Sequence, residues 1–175
     1  MKNKIIDIKW EDFYRDCASL SVLVESANMH NSTMIVVANG GLFVGGMLGR
    51  FLKNDKINTV GSKRRKCNDE TKVDITYFDT EIIKKKLESG NKKILIVDDI
   101  YDSGSTIAAV HEYIVKNCFG GLISNMLTKI MYATPYYKAP FDINIKDFDI
   151  NPLLISPMKI DISYWIKYPW EIGEE

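Results

Sequence analysis

The chain has only three cysteines, Cys17, Cys67 and Cys118, and no two of them form a Cys-x-x-Cys pair. That excludes a disulfide framework or a thiolate zinc site as the organising device, and free thiols are expected in a reducing cytoplasm. Histidine is scarcer still. His30 and His111 stand alone, and a structural role is expected for each. No apolar run approaches the roughly 20 residues of a membrane span. The opening Met1-Lys2-Asn3-Lys4 leads only to Ile5-Ile6 before Asp7, too short for a signal-peptide core. Charge of one sign is missing too: 23 Lys and Arg balance 23 Asp and Glu. A neutral chain gives no support for nucleic-acid or membrane binding.

What is present is the composition of a globular domain, 46% hydrophobic and 26% charged over 175 residues. That is enough chain to bury a core without staples, and one domain spanning 1–175 is expected. Trp10, Phe13, Tyr14, Cys17, Leu20, Leu23, Val24 and Ala27 recur at three- and four-residue steps, which predicts an amphipathic helix with one buried stripe. Met34 to Ala38 and Ile94 to Val97 are continuous apolar runs rich in β-branched residues, the pattern of strands covered on both faces. A helix carrying Met47, Leu48, Phe51 and Leu52 is expected from the glycine-rich stretch after Ala38, and another carrying Ile107, Val110 and Ile114. Ile57 to Val60 reads as a short strand, Val73 to Tyr77 as its returning partner, and Lys129 to Tyr137 as a further strand. The polar, basic segment Gly61 to Lys72 shows no periodicity and is expected to be a mobile loop. A short helix from Glu81 to Leu87 is expected to stop at Gly90. Strands alternating with helices define an α/β class with a central, mostly parallel sheet flanked by helices.

The strongest chemical signal is the stretch from Asp98 to Thr106, between a buried strand and a helix start. Ligands of open α/β sheets bind outside the carboxyl ends of the strands. There, Ser103-Gly104-Ser105-Thr106 offers backbone N–H groups, three hydroxyls, small residues that permit close approach, and the positive end of a helix dipole: a phosphate cradle. Asp98 and Asp99 would repel a phosphate laid directly on them, and suit ribose hydroxyls, a hydrated Mg²⁺, or both. An ordinary helix cap explains one such residue, but not three acids and three hydroxyls in nine positions.

A buried strand, two acids, two variable residues and then Asp102-Ser103-Gly104-Ser105-Thr106 resembles the signature of type I phosphoribosyltransferases, enzymes that use phosphoribosyl pyrophosphate (PRPP). The resemblance implies that Asp98 and Asp99 bind the ribose hydroxyls and that Asp102, Ser103, Gly104, Ser105 and Thr106 wrap the 5′-phosphate. It also implies the type I fold, with a small hood built from the C- and N-terminal segments. In the purine branch an acid at the position of Asp102 lies near N7 of the base, which makes Asp102 the candidate catalytic group. Ile35 to Gly46 is similar to the family's pyrophosphate loop, with Asn39, Gly40 and Gly41 at its turn. Many purine enzymes carry Arg where this chain has Asn39. Gly61 to Lys72 takes the place of the family's catalytic loop, but Ser62 is followed by Lys63 rather than the usual Tyr. Lys63, Arg64, Arg65 and Lys66 are candidates to cover pyrophosphate. A solvated charge run is an equal reading, and a nucleic-acid patch a lesser one.

The tail Trp165-Ile166-Lys167-Tyr168-Pro169-Trp170-Glu171 resembles the C-terminus of bacterial xanthine-guanine phosphoribosyltransferases. There the first Trp stacks on the purine and the next backbone contacts the ring, which implies Trp165 and Ile166 as base-binding residues. Ala133 to Lys138 resembles the strand end that presents a base-reading lysine, implying Lys138. Lys129 is its rival, since the segment from Phe119 to Leu127 is longer than expected.

Together these resemblances imply a Mg²⁺-dependent transfer of the 5-phosphoribosyl group from PRPP to a 6-oxopurine in purine salvage. The metal is expected mainly through PRPP, with Asp98 as the one candidate protein ligand. The expected partners are PRPP and a purine base, with a homo-oligomer compatible and neither nucleic acid nor membrane. Two rivals share the fold: a phosphoribosyltransferase for a different base, and a regulator that senses PRPP without catalysis.

Overall fold

The two continuous apolar runs lie side by side. In a computed structural model that describes residues 4–67, 70–90, 92–119, 129–138 and 153–171, β2 (Thr33–Ala38) pairs in parallel with β5 (Lys93–Val97), matching Met34 to Leu95 and Val36 to Val97. Around this pair grows a six-stranded sheet. β7 (Lys129–Ala133) and β9 (Leu153–Ile155) extend it in parallel beyond β5, while β3 (Ile57–Cys67) and β4 (Glu70–Phe78) extend it beyond β2. The order is β4-β3-β2-β5-β7-β9, and only the β3–β4 pair is antiparallel.

Side chains alternate across each central strand, so each feeds two cores. Met34, Val36, Leu95, Val97, Met131 and Ala133 face one side, packing on α1 (Trp10–Ser26) and α2 (Gly41–Phe51). Ile35, Val37, Ile94, Ile96, Ile130 and Tyr132 face the other, packing on α3 (Thr80–Glu88) and α4 (Ser105–Cys118). Ile107, Val110 and Ile114 of α4 are buried as their spacing requires. In α1 the buried stripe is narrower than the apolar spacing suggested. Phe13, Cys17, Leu20 and Val24 are buried, while Trp10, Tyr14 and Leu23 sit on the rim. The stripe also contains an acid: Asp16, on the same face, is buried and accepts a 2.9 Å hydrogen bond from the Tyr136 hydroxyl.

The termini build the hood. β1 (Lys4–Asp7) pairs in parallel with β11 (Tyr164–Lys167), from Lys4↔Tyr164 to Asp7↔Lys167. A three-stranded sheet joins β10 (Met158–Lys159), β8 (Tyr136–Tyr137) and β6 (Ile100–Tyr101). The strand expected over Lys129 to Tyr137 is therefore two strands. Pro135 has no N–H to continue the ladder, and the Thr134 hydroxyl turns to donate to the Tyr136 carbonyl at 2.8 Å. Beyond β11, Trp170 is stacked between Tyr168 (4.5 Å) and Phe43 (4.3 Å), with Phe13 edge-on at 4.9 Å. This clasp fixes the tail against α2.

The largest departure from expectation lies at 61–72. Instead of a loop, the chain continues as a β-hairpin, with Ser62↔Ile75, Arg64↔Val73 and Lys66↔Thr71 in register and an irregularity between Gly61 and Ser62. The strand expected over 57–60 and its returning partner over 73–77 lie within β3 and β4, but their extension over 61–67 and 70–72 escaped the sequence pattern because much of that ribbon is bathed in solvent and no apolar alternation marks it. Residues 68 and 69 lie outside the described residues, as does 120–128, which holds most of the segment that raised Lys129 as a rival. Among the described residues, no helix is long and apolar enough to cross a membrane.

Candidate active site

Two strand ends of the central sheet and one turn leading out of the small sheet form the candidate site at the carboxyl edge. The first runs from β2 through Asn39-Gly40-Gly41 into α2, with the Ala38–Asn39 peptide in the cis form. The second is the Asp98-Asp99 pair after β5, and the third is the turn from Asp102 to Gly104 between β6 and α4. The first two touch. A Cβ on Gly40 would run into the Asp99 carboxylate, and one on Gly41 would lie 2.9 Å from the Val97 carbonyl oxygen and 3.1 Å from the Asp98 Cα. The glycines thus let the loop backbone rest directly on the acidic pair. Asn39 itself is exposed.

Asp98 is 7% exposed. Burial, and then the neighbouring charge of Asp99, push its carboxyl well above the ordinary carboxylate range, while the 3.0 Å bond from the Asp99 N–H and the charge of Arg64 act the other way. Burial raises Asp99 too, opposed by its hydrogen bond to Asp98. Cations or hydroxyl donors reaching two such groups favour their anionic form. An all-oxygen pair of this kind suits Mg²⁺ that keeps water and substrate oxygens in its shell. No cluster of three or more His, Cys, Asp or Glu among the described residues could enclose a metal alone.

The turn between β6 and α4 is held by Gly104, whose φ of 75° lies in the left-handed region and where a Cβ would strike the Tyr101 hydroxyl. The Ser103 and Ser105 hydroxyls lie 2.9 Å apart, and Thr106 is buried at the first turn of α4. The hairpin sends one cation here. Arg64 donates from Nη2 (3.2 Å) and Nε (3.4 Å) to the Thr106 hydroxyl. Its neighbour Arg65 instead pairs with Asp74. The four basic residues therefore lie on two faces of the ribbon, because successive side chains of a strand point to opposite sides.

Asp102, Lys138 and Trp165 converge on a cavity of about 240 Å³ that Asp99, Ile166 and Tyr168 also line. The Lys138 ammonium, its side chain 7% exposed, lies 4.0 Å from the Asp102 carboxylate and 5.4 Å from the centroid of the Trp165 ring. The backbone N–H of Lys138 is tied to the Tyr101 carbonyl at 2.7 Å, so β8 and β6 hold Lys138 and Asp102 in mutual register. Trp165 is 55% exposed and free to stack, while the Ile166 side chain is buried in the core and leaves its backbone at the cavity. Lys129 is far from this edge. It starts β7 and caps the end of α1 through a 3.0 Å bond to the Ala27 carbonyl.

Sequence reasoning missed Tyr168 and Glu171. The Tyr168 hydroxyl donates to the Asp99 carbonyl at 3.3 Å, and Glu171 accepts from the Tyr168 N–H at 3.1 Å and also lines the cavity. Burial, and then the Asp99 charge, hold the Tyr168 phenol protonated. The readable signal was the Tyr168/Trp170 pair, two aromatics two residues apart beside a proline. His111 is structural as expected: it pairs with the Tyr132 hydroxyl at 2.5 Å, and burial lowers its pKa. A separate cleft of about 600 Å³ between the end of α2 and the start of β3 contains none of these groups.

Residues 9–119 match the phosphoribosyl transferase domain, and the chain belongs to that family. Among solved structures it is similar to a Neisseria gonorrhoeae protein crystallised with bound ppGpp, at 18% identity and a TM-score of 0.73, covering 99% of this chain and 93% of the other. It is also similar to the xanthine-guanine-hypoxanthine phosphoribosyltransferase of Helicobacter pylori (17% identity, TM-score 0.68) and a purine phosphoribosyltransferase of Pyrococcus horikoshii (20%, 0.65). Each of these two alignments covers 96% of this chain and 94% of the other. At such identities the likeness is one of fold.

Proposed function

We propose that the protein transfers the 5-phosphoribosyl group from PRPP to N9 of a 6-oxopurine, releasing pyrophosphate, in purine salvage. The observation that carries this reading is the convergence of Lys138, Asp102 and Trp165 on one cavity beside the Asp98-Asp99 pair. An ammonium has three donors and no acceptor. Against C6 of a purine it pairs with an oxo group, and against the adenine amino group it would face another donor.

In the reaction the bond from C1 to the pyrophosphate oxygen breaks, its electron pair leaving with pyrophosphate. The N9 lone pair forms the new C1–N bond through an oxocarbenium-like state, and no protein nucleophile is needed. Asp98 and Asp99 hold the ribose hydroxyls, and Ser103 to Thr106 hold the 5′-phosphate. The Gly40 and Gly41 backbone receives pyrophosphate. Bound Mg²⁺, held through PRPP and Asp98, supplies neutralisation of pyrophosphate charge. Asp102 takes the N7 proton as N9 attacks. Lys138 reads O6, Trp165 stacks on the ring, and the Ile166 backbone meets its edge. We place the reaction in the reducing cytosol, where Cys17, pushed up to about 12 by burial, stays an unreactive thiol.

Incubating the protein with PRPP, Mg²⁺ and each of hypoxanthine, guanine, xanthine, adenine, uracil and orotate, and reading nucleotide formation, tests the proposal. Products from the three 6-oxopurines alone support it. Product only from a pyrimidine moves the site to another base, and PRPP binding without any product favours a sensor.

A further inference from the structure

We infer that Arg64 is a 5′-phosphate-binding residue, a cation brought by the hairpin to complete the cradle at the start of α4; this rests on the proposed use of PRPP. The hairpin register and the contact with Thr106 together single out one basic residue for this. Ser62, Arg64 and Lys66 share one face with Ile75 and Val73, and Ile75 packs against the core that contains α4. Lys63 and Arg65 share the opposite face with Asp74, where Arg65 is paired. Of the four cations, Arg64 is the one that reaches the turn and lines the cavity.

Its present bonding leaves the charge available. Both hydrogen bonds of the guanidinium go to a neutral hydroxyl, that of Thr106, and no carboxylate among the described residues is within salt-bridge reach. A hydroxyl has one proton to give and two lone pairs to receive. Thr106 can accept from Arg64 and still donate to a phosphate oxygen, while the remaining Arg64 donors contact that phosphate directly. A guanidinium fork is the side chain best matched to two phosphate oxygens. The cradle otherwise holds only neutral groups from Ser103 to Thr106, with Asp98, Asp99 and Asp102 close by. A dianionic phosphate there meets three carboxylates, and a fixed cation offsets that repulsion. Asn39 supplies no such charge in the neighbouring loop.

The test measures binding of inosine 5′-monophosphate, inosine and pyrophosphate by titration calorimetry with Mg²⁺, for the full chain and for Arg64→Gln, Arg64→Lys and Arg65→Gln. Losing one charge-assisted contact predicts roughly 10- to 100-fold weaker nucleotide binding by Arg64→Gln. Inosine and pyrophosphate binding stay within about twofold, since surface charges outside the contact contribute little. Arg64→Lys recovers part of the loss, and Arg65→Gln matches the parent. Unchanged nucleotide binding by a folded Arg64→Gln, or a loss confined to pyrophosphate, overturns the inference and leaves the transferase reading standing. A parent protein that binds neither nucleotide nor pyrophosphate overturns both.

Discussion

Lys138 and Asp102 face each other at 4.0 Å across the candidate base pocket, the lysine nearly buried and the aspartate 40% exposed. They directly follow two paired strands of the small β10-β8-β6 sheet, Lys138 after β8 and Asp102 after β6, and a backbone bond from Lys138 to Tyr101 fixes their spacing. Both side chains line the cavity, and at 4.0 Å neither uses up the other: the ammonium keeps its donors and the carboxylate oxygens can still accept a proton.

If Lys138 reads O6, Lys138→Ala lowers kcat/KM for hypoxanthine and guanine and narrows the gap to adenine. Lys129→Ala leaves both quantities within about twofold, since its contact is a surface helix end. Steady-state kinetics with each base checks the pair. Equal effects of the two variants would contradict the geometry.

If Asp102 manages the N7 proton, Asp102→Asn lowers kcat by roughly 10²- to 10⁴-fold, the range of general acid–base groups. PRPP affinity changes far less, because the turn held by Gly104 remains. Separate measurement of kcat and of PRPP binding distinguishes this from a collapsed site. A variant with near-normal kcat would leave Asp102 only its pairing with Lys138.

The acidic pair gives a stability prediction with a definite sign. Asp98 has a folded-state pKa well above its ordinary 3.8, so between those values the folded chain binds more protons than the unfolded one. Stability is then full below 3.8 and falls as pH rises through the folded value. Asp98→Asn removes that cost and still accepts the Asp99 N–H. The variant is expected to melt higher at neutral pH by roughly 2–4 °C, for a gain on the order of 1 kcal/mol. The gap closes as pH falls toward the ordinary carboxylate range. PRPP turnover is lost at the same time. A lower melting temperature at pH 7 would mean the carboxylate is stabilised by the fold.

Metal dependence follows from the same pair. EDTA is expected to abolish turnover and excess Mg²⁺ to restore it, because the oxygen donors here hold a metal only together with substrate. Undiminished turnover in chelator would remove Mg²⁺ from the scheme.

The central sheet was legible because β2 and β5 are buried on both faces and therefore read as unbroken apolar runs. Helix α4 was legible because Ile107, Val110 and Ile114 keep helical spacing over a buried strip. Of the hairpin, 57–60 and 73–77 were legible, but its extension over 61–67 and 70–72 was not, because its cations line a ribbon largely in water, and the division of Arg64 from Arg65 depends on register, which sequence spacing does not fix. The acid-rich turn announced itself by composition, whereas the contact of Gly40 with Asp99 joins positions far apart in sequence. Buried Asp16 left a readable trace, an acid three residues after Phe13 and four before Leu20, inside the apolar stripe. Its partner Tyr136 lies 120 residues away and left none.

The most direct test of the account is a one-pot competition with PRPP and Mg²⁺ limiting and hypoxanthine and adenine equimolar, the two nucleotides resolved by chromatography. A site built around a donor to O6 rejects the mismatched base by about 10⁴-fold or more, because a buried polar group is left unpaired. The account predicts inosine 5′-monophosphate with adenosine 5′-monophosphate at or below detection. Preferential formation of the adenine nucleotide would contradict it.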